Sequence, residues 1–345
     1  MKLTRRRITV LLNALYDEGI TDITVEHPSE EIGELLRVDI EDMDEATVRF
    51  TSNREDFTQA CADIDRKYGP PASHDIPDPN SYVWACLAGG LLNIGNRAEL
   101  NDFLDRFGSP NLNAGHPPVV AGFDTNLMPW RIWSVLGLDG GYSPYRGEWP
   151  IVNGFTLATG VRDELDWDHK HNNTRPLEKA FGDEFDRFLG QPTASNREGR
   201  LGEIHYRQLR DLQYADEIEC DTGDDEIVDG YDRYQRSGRK DVLLFSNDRN
   251  FVERARSHTI RAHHVDFPRE FPRKTTGSWT AIRDTLYMLT ILFGVIKIPK
   301  ATLYGVWSGK TGKDWHDEAI DVECRSPRIE PNLKRDTAIL DQFHS

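Results

Sequence analysis

The chain has 345 residues, of which 38% are hydrophobic and 10% aromatic, so it is long enough for one large domain or for about two to three small ones. Its formal net charge is −16, from 58 Asp and Glu against 42 Lys and Arg. The 4 cysteines stand far apart with no Cys-x-x-Cys pair, which argues against a zinc cluster and a dense disulfide framework. Acidity normally disfavours nucleic acid, but concentrated salt largely cancels that electrostatic effect, so a nucleic-acid partner stays open.

The N-terminal stretch MKLTRRRITVLLNAL places basic residues before an apolar segment. Its apolar residues from Ile8 to Leu15 fall at helical spacing and acids follow, which predicts an amphipathic helix rather than a signal peptide. The most apolar segment, residues 285–300, is interrupted by Lys297 and Pro299 after about a dozen residues, too few to span a bilayer. These patterns predict a cytoplasmic chain with no membrane partner and a buried or interface helix in this segment.

In chain order, the first third of the sequence predicts a small module and a connector. Residues 1–68 alternate helical and strand-like runs, which predicts a small α/β module. Residues 69–81 are rich in Pro, Asp and Ser and are predicted to be a linker. Residues 82–116 are predicted to be a helical connector that ends in a loop.

From residue 117 to 267 strand-like and helical patterns alternate, which predicts a parallel sheet flanked by helices. The strand-like runs are VVAGF (119–123), PIVNGFTLA (150–158), DVLLFSND (241–248) and TIRAHHVDF (259–267). A long polar stretch with a helical middle, residues 172–222, is predicted to be an insertion. Residues 268–345 are predicted to be an extension that contains the apolar helix and a basic loop.

Acidic residues recur at strand ends and helix starts in this alternating region. Asp124 and Asp248 each follow an apolar strand, Glu164 lies in the first turn of a helix, and Asp224, with Asp225 beside it, opens another helix. Because strand C-termini and the following helix N-termini share one edge of a parallel sheet, these carboxylates are predicted to converge. Converging acids repel one another unless a hard cation holds them, so Mg²⁺ or Mn²⁺ is the expected cofactor.

The arrangement resembles the PIN-domain nucleases. The matching stretches are hydrophobic-hydrophobic-Asp-Thr-Asn at 122–126, Gly-Val-x-x-Glu-Leu at 160–165, Asp-x-x-Ile at 224–227 and Ser-Asn-Asp-Arg-Asn-Phe at 246–251. They occur in the family's order, and the resemblance covers residues 117–267, under half of the chain. It implies a metal-dependent nuclease, usually a ribonuclease, that cuts phosphodiesters and leaves a 5′ phosphate.

The resemblance also implies roles for individual residues. It assigns the metal ligands to Asp124, Glu164, Asp224 and Asp248. Asp225 competes with Asp224 for the third position, and the spacing to the following isoleucine favours Asp224. Ser246 and Asn126 are expected to support the site. Metal-bound water can hydrolyse a phosphodiester without a protein nucleophile, so these residue types suffice for the chemistry.

Basic residues are the candidates for substrate binding in this acidic chain. The expected contacts to nucleic acid are Arg207, Arg210, Arg236, Arg249 and Lys310. Ordinary solvated helix faces explain such residues equally well. RNA is the expected partner, while a homodimer and an inhibitory protein partner stay open. Trp130, Trp133 and Trp149 either stack on bases or lie in the core.

Composition and two short motifs leave alternatives. The lean to Asp among the acids and to Arg among the bases resembles haloarchaeal proteins, with an ordinary acidic bacterial protein as the alternative. In GVWSGKTGKDW (305–315), Gly305 lies too close to Gly309 for a phosphate-binding P-loop. A dehalogenase-type phosphatase needs a second Asp where Asn126 stands. The remaining rivals are a catalytically weak or inactive PIN-like binding or assembly module and, more weakly, a metal-dependent phosphatase.

Overall fold

The computed structural model groups the chain into two compact units. It describes residues 1–41, 45–138, 150–166, 182, 184, 193–238, 240–305 and 318–343. Unit 1 comprises Met1–Leu92, Lys170–Glu198 and Arg269–Ser345. Unit 2 comprises Asn93–His169 and Gly199–Pro268.

The strands of the described residues are numbered in chain order. They are β1 (Lys2–Thr4), β2 (Asp22–Glu26), β3 (Glu34–Ile40), β4 (Glu45–Phe50), β5 (Val119–Phe123), β6 (Gly154–Ala158), β7 (Asp216–Ile218), β8 (Asp241–Ser246), β9 (Arg261–His264), β10 (Lys274–Ser278), β11 (Val295–Ile298), β12 (Ala301–Tyr304) and β13 (Ala319–Cys324). They form two separate sheets, one of eight strands and one of five.

The helices are numbered in the same way. They are α1 (Ile8–Asp17), α2 (Arg54–Tyr68), α3 (Pro70–Ser73), α4 (Pro79–Gly89), α5 (Arg97–Phe107), α6 (Ile132–Val135), α7 (Thr159–Asp166), α8 (Ala194–Leu212), α9 (Asp224–Gly238), α10 (Arg249–Ser257), α11 (Trp279–Phe293) and α12 (Ile329–Phe343). A 3-10 helix, Thr125–Trp130, follows β5 directly.

Unit 1 contains the eight-stranded sheet, in the order β1-β13-β12-β11-β2-β3-β4-β10, with antiparallel pairing throughout. Strands from both ends of the chain alternate in it, and β1 pairs with β13 at Lys2↔Asp321. The predicted separate module at 1–68 and extension at 268–345 therefore differ from the structure, because their strands complete one sheet. Residues 69–81, predicted to be a linker, include α3 and the start of α4.

The predicted apolar helix is present in unit 1 as α11, which is buried along most of its length. It ends at Gly294, whose φ of 76° suits glycine, and β11 begins immediately afterwards. The segment predicted as one helical stretch, 285–300, is thus half helix and half hairpin strand. Among the described residues, no helix has the length and apolarity needed to cross a bilayer.

Unit 2 contains the five-stranded sheet, in the order β7-β6-β5-β8-β9, with parallel pairing throughout. This confirms the predicted parallel sheet flanked by helices. The helical middle of the predicted insertion 172–222 is present as α8. The same stretch also holds β7, which the sequence pattern did not show because only one of its three residues is buried.

The order of the strands places a topological switch point at the carboxyl ends of β5 and β8. From the central β5 the chain moves outward through β6 to β7, then returns to the other side of β5 for β8 and β9. Ligands of open parallel sheets bind in the crevice outside the strand ends at such a point. The predicted acids Asp124 and Asp248 follow these two strands, so the fold puts them at the expected ligand-binding edge.

Helix α9 packs closely on β5 because position 122 is glycine. A Cβ on Gly122 would lie 2.7 Å from Cε1 of Tyr231. The Tyr231 hydroxyl donates a hydrogen bond to the Phe123 carbonyl oxygen at 3.1 Å. This contact fixes the helix whose first residue is Asp224 against the strand that ends before Asp124.

Candidate active site at the carboxyl edge of the parallel sheet

Asp124 is the centre of the candidate site. It is buried, with 3% of its surface exposed. The Ser246 hydroxyl donates to Asp124 Oδ2 at 2.6 Å, and Asn126 Nδ2 lies 3.4 Å from the same oxygen. The Asp248 amide donates to the Ser246 hydroxyl oxygen at 2.8 Å. A single buried serine therefore links the acid at the end of β5 to the end of β8.

The environment of Asp124 opposes its ionisation. Burial raises the pKa of Asp124 to about 6, against a hydrogen bond from Ser246 that lowers it. The negative charges of Asp224 and Glu164 raise the pKa further, and the Thr125 amide lowers it. The charges of Glu164 and Asp224 therefore act on the buried carboxylate of Asp124.

Glu164 connects the two loops that carry the other acids. The Thr125 hydroxyl donates to Glu164 Oε2, and the Gly223 amide donates to Glu164 Oε1 at 2.8 Å. Thr125 follows Asp124 in the chain, and Gly223 precedes Asp224. Glu164 is the sixth residue of α7, not in its first turn as the sequence predicted, and its carboxylate holds the β5 and α9 loops in place through both of its oxygens.

Asp224 and Asp225 share a partner that the sequence did not reveal. Arg254 Nη1 lies 3.2 Å from Asp224 Oδ2, and Arg254 Nε lies 2.8 Å from Asp225 Oδ1. The Asp225 side chain is 79% exposed, and it is the charge of Asp224 that raises the pKa of Asp124. Of the two acids, it is therefore Asp224 whose charge acts on Asp124.

Asp248 has a structural role that the sequence interpretation did not assign. It is the N-cap of α10, and its Oδ1 accepts a hydrogen bond from the Asn250 amide at 2.7 Å. An acid that follows an apolar strand can therefore also cap the next helix. Asp124, which precedes the 3-10 helix, makes no such side-chain capping bond.

The donor atoms of these acids suit a hard divalent cation, but their arrangement in this structure does not form a closed metal site. All their donor atoms are carboxylate oxygens, which Mg²⁺ and Mn²⁺ prefer. In the part of the chain that the structure describes, no three His, Cys, Asp or Glu side chains are grouped closely enough to hold a metal ion. In this structure Asp224 is paired with Arg254, and Asp248 caps α10.

The predicted substrate-binding arginines mostly form ion pairs close to them in the chain. Their partners are Glu203 for Arg207, Asp211 for Arg210 and Asp232 for Arg236. These pairs match the solvated-face interpretation of the three residues. Arg249, in contrast, is exposed in the first turn of α10, directly after Asp248. Lys310 lies outside the described residues.

The tryptophans are core residues where the structure describes them. Trp130 is fully buried and Trp133 is 5% exposed, so neither presents a face for base stacking. Trp149 lies outside the described residues, as does most of the loop at 305–315.

Comparisons of the chain with protein-family models, with curated proteins and with solved structures give no match. The class of this protein is therefore described by the features of its structure. They are a five-stranded parallel sheet flanked by helices, an antiparallel sheet in a second unit, and a buried acid at the switch point of the parallel sheet.

Replacing Ser246 with alanine is expected to raise the pKa of Asp124 further above its value of about 6, because the hydroxyl hydrogen bond favours the ionised form. This change in pKa is measured by the pH dependence of the free energy of unfolding in urea, with EDTA present to remove metal ions. The pH range in which stability declines should move upward relative to wild type. Ser257→Ala, which removes an exposed hydroxyl at the end of α10, is the control and should leave the range unchanged. An unchanged range in Ser246→Ala would contradict the assigned role.

Proposed function

We propose that this protein is a metal-dependent nuclease of PIN-like architecture that hydrolyses phosphodiester bonds, with RNA as the preferred substrate. The observation that carries the proposal is the buried carboxylate of Asp124 at the topological switch point, on which the charges of Glu164 and Asp224 act. A buried acid among other acids is destabilised, and a bound cation removes that penalty. The preference for RNA rests on the resemblance of the motif stretches to PIN-domain ribonucleases.

The residues of the site would divide the work in the following way. Asp124, Glu164 and Asp224 would hold Mg²⁺ or Mn²⁺, with Asp248 at the margin. When bound, the ion would supply a nucleophilic water and stabilise the leaving oxygen. Ser246 orients the central carboxylate through its 2.6 Å hydrogen bond.

Substrate contacts would come from the same edge of the sheet. Arg249 is exposed in the turn that follows Asp248, where its guanidinium can reach a phosphate of the bound strand. In concentrated salt, a few directed contacts of this kind contribute more than a diffuse basic surface, because long-range attraction is screened. This is compatible with the net charge of −16.

The test is cleavage of end-labelled single-stranded RNA and DNA by the wild-type protein in molar KCl with Mn²⁺, Mg²⁺ or EDTA. We expect cleavage with metal and none with EDTA, faster on RNA than on DNA, with 5′ phosphates on the products. RNA that is bound but never cut with any metal would indicate the binding or assembly module instead. Hydrolysis of a nucleotide monophosphate without cleavage of either polymer would indicate the phosphatase.

A further inference from the structure

A cavity of about 700 Å³ lies in unit 2 among α5, α10 and the end of β9. We call it the α5–α10 cavity. Its walls include Phe103 and Phe107 from α5, His263 from β9, and Arg249 from α10. Its volume is in the range of pockets that bind small molecules or a single nucleotide. No local pattern groups these residues, because they come from three separate stretches of the chain.

One wall of the α5–α10 cavity is aromatic. The Phe103 ring lies 5.0 Å from the His263 ring at an interplanar angle of 35°, and 5.2 Å from the Phe107 ring. Both phenylalanines are half-buried, so part of each ring faces solvent. The guanidinium groups of Arg106 and Arg261 lie over the Phe107 ring, 5.0 and 5.1 Å from its centre. Aromatic rings and the guanidinium groups over them are both flat, so a planar heterocycle can stack on this wall.

The charges around the cavity favour a base over a phosphate inside it. Glu99 and Asp102 lie three residues apart on the exposed face of α5, and both line the cavity. Carboxylates repel a phosphate but accept hydrogen bonds from the amino groups of adenine, cytosine and guanine. Arg256 is paired with Glu253 at 2.9 Å, whereas Arg249 is exposed at the side of the cavity next to Asp248. A nucleotide would therefore enter with its base inside and its phosphate at Arg249.

The α5–α10 cavity adjoins the candidate active site along the sheet. His264, which lines the cavity, is in register with Ser246 on the neighbouring strand. Ser246 in turn donates to Asp124 from the end of β8. Adjacent strands are about 4.8 Å apart, so the cavity begins one strand beyond the serine that orients the central acid. A single-stranded nucleic acid with one phosphate at Asp124 can therefore place a neighbouring base in the cavity.

We propose that the α5–α10 cavity is a nucleobase-binding subsite for single-stranded nucleic acid, which stacks one base on Phe103 and Phe107 and holds its phosphate at Arg249. The subsite selects bases that carry an amino group over uracil. Its position next to the scissile phosphate rests on the proposed nuclease function, but base binding itself requires no metal and no cleavage.

The test is fluorescence anisotropy of labelled single-stranded RNA oligomers in molar KCl with EDTA, so that binding is measured without cleavage. Phe107→Ala and Phe107→Leu should weaken binding about tenfold, because each removes a stacking face. Phe107→Trp should restore it. Tyr214→Ala removes an aromatic side chain outside the cavity that is 86% exposed, and this variant should bind like wild type. Phe107→Leu keeps an apolar side chain for packing, so weaker binding by this variant reports the loss of stacking and not a loss of folding.

Oligomers with a single abasic position identify the base that is bound. An abasic nucleotide at one position should weaken wild-type binding about tenfold and have little effect on Phe107→Leu, and oligo(A) should bind more tightly than oligo(U). Unchanged binding by both Phe107→Ala and Phe107→Leu would overturn the subsite, as would equal binding of oligo(A) and oligo(U). Base-dependent binding without cleavage in any metal would retain the subsite and remove the nuclease function. Metal-dependent cleavage with unchanged binding by Phe107→Ala and Phe107→Leu would retain the nuclease function and remove the subsite.

Discussion

Asp124→Asn is expected to lower metal-dependent cleavage of RNA by on the order of a thousandfold. Asparagine has the shape of aspartate, and its amide oxygen can still accept the hydrogen bond from Ser246. It lacks the negative charge that lets a carboxylate replace a water molecule in the hydration shell of a divalent cation. Initial rates on labelled RNA at saturating Mn²⁺ measure the loss. Isothermal titration with Mn²⁺ should show that the variant also binds the ion more weakly.

The matched control is Asp241→Asn. Asp241 begins β8, at the opposite edge of the same sheet, and forms an ion pair with Arg261 at 2.7 Å. Removing a partly exposed pair of this kind changes stability by about 1 kcal/mol or less, so cleavage should stay within about twofold of wild type. If Asp124→Asn cuts RNA as fast as Asp241→Asn does, the acids at the switch point are not the nuclease site.

The position of the site could be predicted from the sequence because it depends on local patterns. Apolar runs of four to five residues that end in Asp124 and Asp248 mark buried strands, and parallel strands bring their carboxyl ends to one edge. The strand pattern places Asp124 and Asp248 at this edge of the sheet. Glu164 and Asp224 lie on helices, and their convergence with Asp124 on a metal ion stays a prediction.

The partners of the acids could not be predicted, because they depend on tertiary contacts. Arg254 lies in a polar helix with no local feature that points to Asp224, and their pairing follows from how the helices pack. The Asp248 cap could have been predicted, since an Asp before a helix is a common N-cap and its carboxylate accepts from the Asn250 amide within the local turn.

The eight-stranded sheet of unit 1 was missed for a different reason. Short antiparallel strands carry no information about their partners, and β1 pairs with a strand more than 300 residues away, as Lys2↔Asp321 shows. Each strand, taken by itself, is as compatible with a small local module as with the eight-stranded sheet. Which strands pair is set by register and by the burial of a shared face, and neither is visible within a window of the sequence.

The second large effect concerns the stability of the protein without metal. The pKa of Asp124 is raised from 3.8 to about 6, so the folded state binds the proton more tightly than the unfolded state does. This contribution to stability is fully present below about pH 4 and is lost as the pH rises through 6. Two pKa units correspond to about 3 kcal/mol, an order-of-magnitude value for the penalty at neutral pH. Asp124→Asn has no such titration.

We therefore expect Asp124→Asn to be more stable than wild type in chelator at pH 7.5, by up to about 3 kcal/mol, and the difference to disappear near pH 4. Urea unfolding of both proteins in molar KCl at the two pH values measures it, and comparing the pair cancels the titration of all other groups. Mn²⁺ should reverse the order at pH 7.5, since only wild type retains the carboxylate that binds it. A difference that is the same at both pH values would show that Asp124 is not held in a destabilised ionised form.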